Sequence, residues 1–208
     1  MAEEISKKVR RNPFIGTWFT RGKSEFEARM GKIDKAVAEA LIGGVLHTVD
    51  YSMYATRYLG AETTVELMQS SDTKKVGITN LNNRKLEAST YAYLTGMQLL
   101  EATVSGSSEE AIKSATYGKI DENIAGGELE IKQGDKILYP RSSNEVFKKD
   151  GGDKELTGYH AFDCAKIFIP MTDIIPTLYL PKAYNLSGET PEHRAVRIIF
   201  HGIKTNKA

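Results

Sequence analysis

The last third of the chain places the strongest constraint on its fold. From Gly127 it reads GELEIKQGDKILYPRSSNEVF: Leu129 and Ile131 alternate with polar neighbours, a glycine-containing turn follows, and Ile137 and Tyr139 come after it. Three short apolar runs succeed it, AKIFIP (165–170), PTLYLP (176–181) and AVRIIF (195–200), each bounded by proline, glycine or a polar cluster. Strand-length runs divided by turn chemistry, with little helical periodicity, predict an antiparallel β-sandwich.

The β pattern extends upstream to about residue 76. VGITNLNNRKL places a short strand before Asn80, Asn82 and Asn83, residues that accept turn geometry. STYAYLTGMQLLEATV (89–104) is long, rich in tyrosine and threonine and free of proline, and it predicts a central strand with Gly96 at a bulge or close approach. Residues 105–127 read as a loop around a short helix or broken strand, and KKDGGDKELTGYH (148–160) as an exposed loop. The expected division is an assembly segment over 1–75 and a sandwich body over 76–208.

The segment before residue 76 has a different character. Phe26, Met30, Ile33, Val37, Leu41 and Val45 trace one face of a helix over 24–46. Ser24 and Glu27 have the spacing of a capping box, and Gly43-Gly44 supplies a stop. Such a stripe has to be covered, by its own domain or by a second subunit. Acidic residues Glu25, Glu27, Asp34 and Glu39 on the polar side argue against a membrane surface. Ahead of the helix, Phe14, Trp18 and Phe19 form an aromatic arm beside the basic run Lys7, Lys8, Arg10 and Arg11, a weak nucleic-acid candidate next to Glu3 and Glu4. Residues 47–75 read equally as helix or extended arm.

Composition narrows the function classes. A net charge of +1 gives no overall electrostatic case for nucleic acid. One cysteine excludes an intrachain disulfide framework. No run reaches the roughly 18 apolar residues of a membrane span, and MAEEISKKVRR has no apolar stretch behind its basic residues, so a non-secreted protein is expected.

Candidate chemistry is sparse. Cys164 lies near His160 and Asp163, but in a regular strand Asp163 points to the opposite face, and a half-buried thiol is the stronger reading. The four histidines, His47, His160, His193 and His201, have no metal-ligand spacing. Glu128 and Glu130 share a strand face as a glycosidase pair would, yet read better as solvated outer-face residues, and Glu109-Glu110 and Asp121-Glu122 as surface. The double glycines match no nucleotide-binding motif. Neither a cofactor nor a metal is expected.

Three groups of residues carry a family resemblance: Gly77-Ile78-Thr79-Asn80, then Leu94-Thr95-Gly96, then Gly127-Glu128-Leu129-Glu130-Ile131 with Lys136-Ile137-Leu138 and Phe147. In this order they resemble the jelly-roll-like β-sandwich proteins of tailed or icosahedral bacteriophage virions, over roughly residues 76–205. The resemblance rests on packing and turn features and brings no catalytic residues. It implies a non-enzymatic capsid or capsid-associated protein, assembled in the host cytoplasm into a virion. Its partners would be copies of itself and other virion proteins, gripped by an N-terminal arm or helix.

The full expectation is therefore a mainly β, jelly-roll-like sandwich preceded by an amphipathic helix and extended arm. Phe14, Trp18, Phe19, Phe26, Met30, Ile33, Val37 and Leu41 are the assembly contacts. Two other readings stand beside it. One is a carbohydrate- or ligand-binding sandwich using Tyr139, Tyr159, Tyr179 or Tyr184. The other is an enzyme built around Cys164 and His160.

Overall fold

The computed structural model describes residues 45–148, 156–186 and 191–207. The arm, the expected helix and all eight expected assembly contacts lie outside these residues, as do Lys7, Lys8, Arg10 and Arg11 and most of the 148–160 loop. The chain divides into two units, Met1–Asp50 with Lys204–Ala208, and Tyr51–Ile203. The packing described below belongs to the second.

Among the described residues there are eight strands: β1 (Leu46–Leu59), β2 (Thr64–Glu66), β3 (Ala92–Thr103), β4 (Glu128–Gln133), β5 (Lys136–Ser143), β6 (Tyr159–Phe168), β7 (Ile174–Tyr179) and β8 (Arg194–Lys207). Two short helices, α1 (Glu109–Ser114) and α2 (Glu122–Ala125), interrupt the β3–β4 connection, and a 3-10 turn (Asn144–Phe147) follows β5. The strands form two antiparallel four-stranded sheets, β1-β8-β3-β6 and β2-β7-β4-β5. The molecule is mainly β, as its residue pattern predicts, and strands of both sheets begin before residue 76.

Alternation explains the core. Val196, Ile198 and Phe200 of β8 face Ile174 and Leu178 of β7 and Leu129 and Ile131 of β4 within one buried cluster that draws on all eight strands. On β3 the buried parity changes from Ala92 and Leu94 to Met97 and Leu99, because the ladder with β6 slips at Gly96. A second, smaller cluster lies on the other face of the first sheet, where Ala102, Val104 and Ala195 meet Ile112 of α1. Tyr58, Ile78 and Tyr117 pack around it. This extra layer explains why 47–59 had no clear period. Tyr54, Thr56 and Tyr58 face a covering segment, so β1 is half-buried on both sides.

Among the described residues, each sheet edge is blunted along at least part of its length, which hinders edge-to-edge strand pairing. VGITN forms turns laid along β1 where a short strand was expected: Thr56 N donates to Ile78 O at 2.7 Å, and Asn80 bonds the backbone of Ser52 and Tyr54 through its side chain. The β2 edge is three residues long. β5 carries Pro140 and two irregularities. On β6 the ladder passes from Leu94↔Lys166 to Gly96↔Ala161, so residues 162–165 bulge out opposite Thr95 alone. The β4–β5 hairpin closes through Gly134 (φ +55°) and Asp135, the φ signs of a type II′ turn.

Candidate functional site

The β1–β2, β3–β4, β5–β6 and β7–β8 connections share one end of the two sheets. A polar cluster is built there on residues that belong, by parity, to the core. Glu101 continues the inward series Met97, Leu99 on β3 and is only 5% exposed. Arg194 precedes the inward series Val196, Ile198, Phe200 on β8. Its Nη1 donates to Glu101 Oε1 at 2.9 Å and to Thr103 Oγ1 at 2.6 Å.

The β3–β4 connection is fastened to the same glutamate twice. Glu101 and Gly118 exchange both backbone hydrogen bonds, at 3.1 and 2.8 Å, and the Asp121 amide donates to Glu101 Oε2 at 2.5 Å. Asp121 is the N-cap of α2, in extended backbone (φ −75°, ψ 173°), and its Oδ1 accepts from Ile124 N at 2.8 Å. From the β7–β8 connection, the buried Tyr184 donates its hydroxyl to both Asp121 oxygens, at 2.9 and 2.8 Å. Asn123 Nδ2 bonds Lys182 O at 3.0 Å, while Asn123 Oδ1 is buried without a partner among the described residues. Two further bonds complete the end: Tyr58 Oη to His193 Nδ1 at 2.6 Å, and Val104 N to His193 O at 3.0 Å.

Beside this cluster lies an open cleft of about 520 Å³, lined by Asp121, Glu122, Asn123, Pro181, Lys182, Tyr184 and Glu192. Burial is the main force raising the Glu101 carboxyl above the ordinary glutamate range; the Asp121 charge adds to it, and the Asp121 amide and Arg194 oppose it. Burial, followed by donation to Asp121, drives the Tyr184 phenol well above its usual value, so it stays protonated and keeps its hydrogen for Asp121. The arrangement can hold or release a proton at a buried carboxylate. Among the described residues, no three His, Cys, Asp or Glu side chains are grouped to hold a metal ion.

The residues singled out from sequence alone fall elsewhere. Cys164 is exposed in the β6 bulge, which breaks the alternation assumed for it, so it is not a half-buried strand thiol. The His160 ring packs edge-on to Tyr139, Phe147 and Phe162, at centroid distances of 6.1, 5.9 and 6.4 Å. Glu128 pairs with Arg141. Glu130 is 8% exposed, accepting from Lys132 Nζ at 2.8 Å and Tyr179 Oη at 3.3 Å, so it is not a solvated residue. Asp121 is likewise a bonded cap, not plain surface.

The four tyrosines of the ligand-binding reading do not form a platform. Tyr139 and Tyr184 are buried, Tyr179 lies under the Arg141 guanidinium at 4.0 Å, and Tyr159 packs on His201. Glu101, Arg194 and Tyr184 lie 10 to 93 positions apart in sequence, and the one local signal was a charged residue at an inward parity on β3. The chain matches no protein-family profile and no curated protein.

Proposed function

We propose that this chain is a non-enzymatic structural component of a virus particle, capsid or capsid-associated, that self-assembles through a jelly-roll sandwich and an N-terminal arm. Strand order carries the reading. β1 lies beside β8, β2 beside β7, β3 beside β6 and β4 beside β5. The chain thus resembles one antiparallel ribbon doubled back on itself, whose successive strand pairs alternate between the two sheets. That winding supports the jelly-roll reading, a fold that builds viral shells and also lectins and cupins.

Two features favour the shell over the lectin. The tyrosines available for sugar stacking are engaged in packing or hydrogen bonds, and the blunted edges leave strand addition a poor route to assembly. Contacts between copies then fall to faces, loops and the segment before β1, where Phe14, Trp18, Phe19 and the stripe Phe26, Met30, Ile33, Val37, Leu41 concentrate apolar side chains. A bacteriophage virion, assembled in the host cytoplasm, is the assignment favoured by the resemblance over residues 76–205.

The test is the mass and image of the purified full chain by light scattering and electron microscopy. Discrete symmetric particles or rings are expected, and a monomer at all concentrations would overturn the reading. Removing residues 1–44 is expected to abolish the particles while β-type circular dichroism and cooperative unfolding persist. A truncated chain that assembles like the full one removes the arm from the proposal.

A further inference from the structure

Glu101 breaks the rule that inward strand positions are apolar, and such breaks mark places where something other than stability is at stake. Its cluster holds two carboxylates, Glu101 and Asp121, against one guanidinium, Arg194. One negative charge is therefore in excess, shared between the buried Glu101 and an Asp121 that is half-buried at the edge of the cleft. Removing a charge from water without full pairing is costly, and the simplest remedy is uptake of a proton.

We propose that this cluster is a proton-operated latch: proton uptake at Glu101 tightens the grip of β3 and β8 on the β3–β4 and β7–β8 connections, and proton loss loosens it. The inference stands on the geometry of Tyr51–Ile203 and does not require the virion reading.

The groups that act on Glu101 come from each neighbouring element. Asp121 faces it from the β3–β4 connection, Arg194 from β8, and Tyr184 from the β7–β8 connection, with Thr103 sharing the Arg194 donor on its own strand. Glu122, Lys182 and Glu192 line the cleft beside Asp121 and Tyr184. His193, next to Arg194 in sequence, bonds Tyr58. The sign follows from burial: the fold disfavours the ionised carboxylate, so the closed end binds a proton more tightly than the opened one. The latch is strongest in mild acid and weakens as pH rises through the Glu101 midpoint.

Hydrogen exchange of the full-length protein tests it. Protection factors at Asp121, Ile124 and Arg194, corrected for intrinsic rates, are expected to fall several-fold between about pH 5 and about pH 7.5, a tenfold change corresponding to one pK unit. In Glu101→Gln this pH dependence is expected to vanish. A dependence that survives the substitution, or none in the wild type, overturns the latch. Should the variant fail to fold, carbon-13 NMR of the wild-type carboxyls decides: a Glu101 midpoint above the ordinary glutamate value of about 4.3 supports the proposal, and one at or below it defeats it.

Discussion

The hydroxyl of Tyr159 occupies the space that a side chain at Gly96 would need. A Cβ at Gly96 would overlap that hydroxyl and lie 2.5 Å from Tyr159 Cζ and 2.8 Å from His160 O. The glycine permits the slip that reverses parity along β3, which in turn places Glu101 inward. Gly96→Ala is therefore expected to destabilise the fold by about 1–3 kcal/mol, the range for overpacking. In a urea-denaturation double-mutant cycle with Tyr159→Ala, the two effects should be clearly less than additive. Full additivity would show that the tyrosine is not the obstacle.

Much of the β-scaffold is legible in the chain. Leu129, Ile131 and Tyr139 alternate around Gly134, and the runs after 165, 176 and 195 each contain a strand core, because one buried face imposes period two. Gly96 was recognisable as a bulge or close approach because a glycine inside a strand has no side chain to pack. Two things were not legible. β1 carries buried or half-buried side chains on both faces, Met53 and Ala55 on one and Thr56 and Tyr58 on the other, so its polarity does not alternate. The loop-end cluster joins Glu101, Asp121, Tyr184 and Arg194, which no local pattern connects, and Asp121 read as surface until the fold brought Tyr184 to it.

Arg84 ties the opposite end together. It sits at φ +50°, next to Asn83 at the same value, a conformation that non-glycine residues hold only when their surroundings require it. Its Nε and Nη2 donate to Asp173 Oδ2 at 2.9 and 2.7 Å, and Lys85 Nζ lies 3.0 Å from Oδ1. The Arg84 hydrogen bonds, then those of Lys85, hold the Asp173 carboxyl below its usual value. A lowered carboxylate adds stability that is fully present above the unfolded value of about 3.9 and is lost as pH falls through the folded one. Wild type should therefore exceed Asp173→Asn in urea midpoint at neutral pH, with the gap closing below about pH 4. A gap independent of pH would refute this role.

Asn144 fastens α2 to the 3-10 turn after β5. It is fully buried, its Nδ2 donates to Ile124 O at 2.9 Å, and its backbone amide donates to Gly127 O at 3.0 Å. Alanine at this position removes the side-chain donor to the buried Ile124 carbonyl and leaves it to backbone donation from Gly127 N at 3.0 Å, a loss of about 0.5–1.5 kcal/mol. Asn144→Ala is expected to lower the thermal midpoint and to speed exchange at Gly126 and Gly127. A shift confined to the global midpoint, with no local change at those amides, would separate general packing from the proposed tie.

The β6 bulge makes a prediction at Cys164. Residues 162–165 leave the ladder, so Phe162 turns to pack on Tyr139 at a centroid distance of 6.0 Å while Asp163 and Cys164 stay exposed. A regular strand would have set Cys164 by alternation alone; the bulge removes that constraint and places the thiol in solvent. The native protein should therefore react with a thiol reagent to one equivalent without denaturant. Cys164→Ala should change the unfolding free energy by less than about 0.5 kcal/mol, the usual range for surface sites. Thiol labelling that requires urea, or a larger loss in the alanine variant, would place Cys164 inside the packing and contradict the bulge.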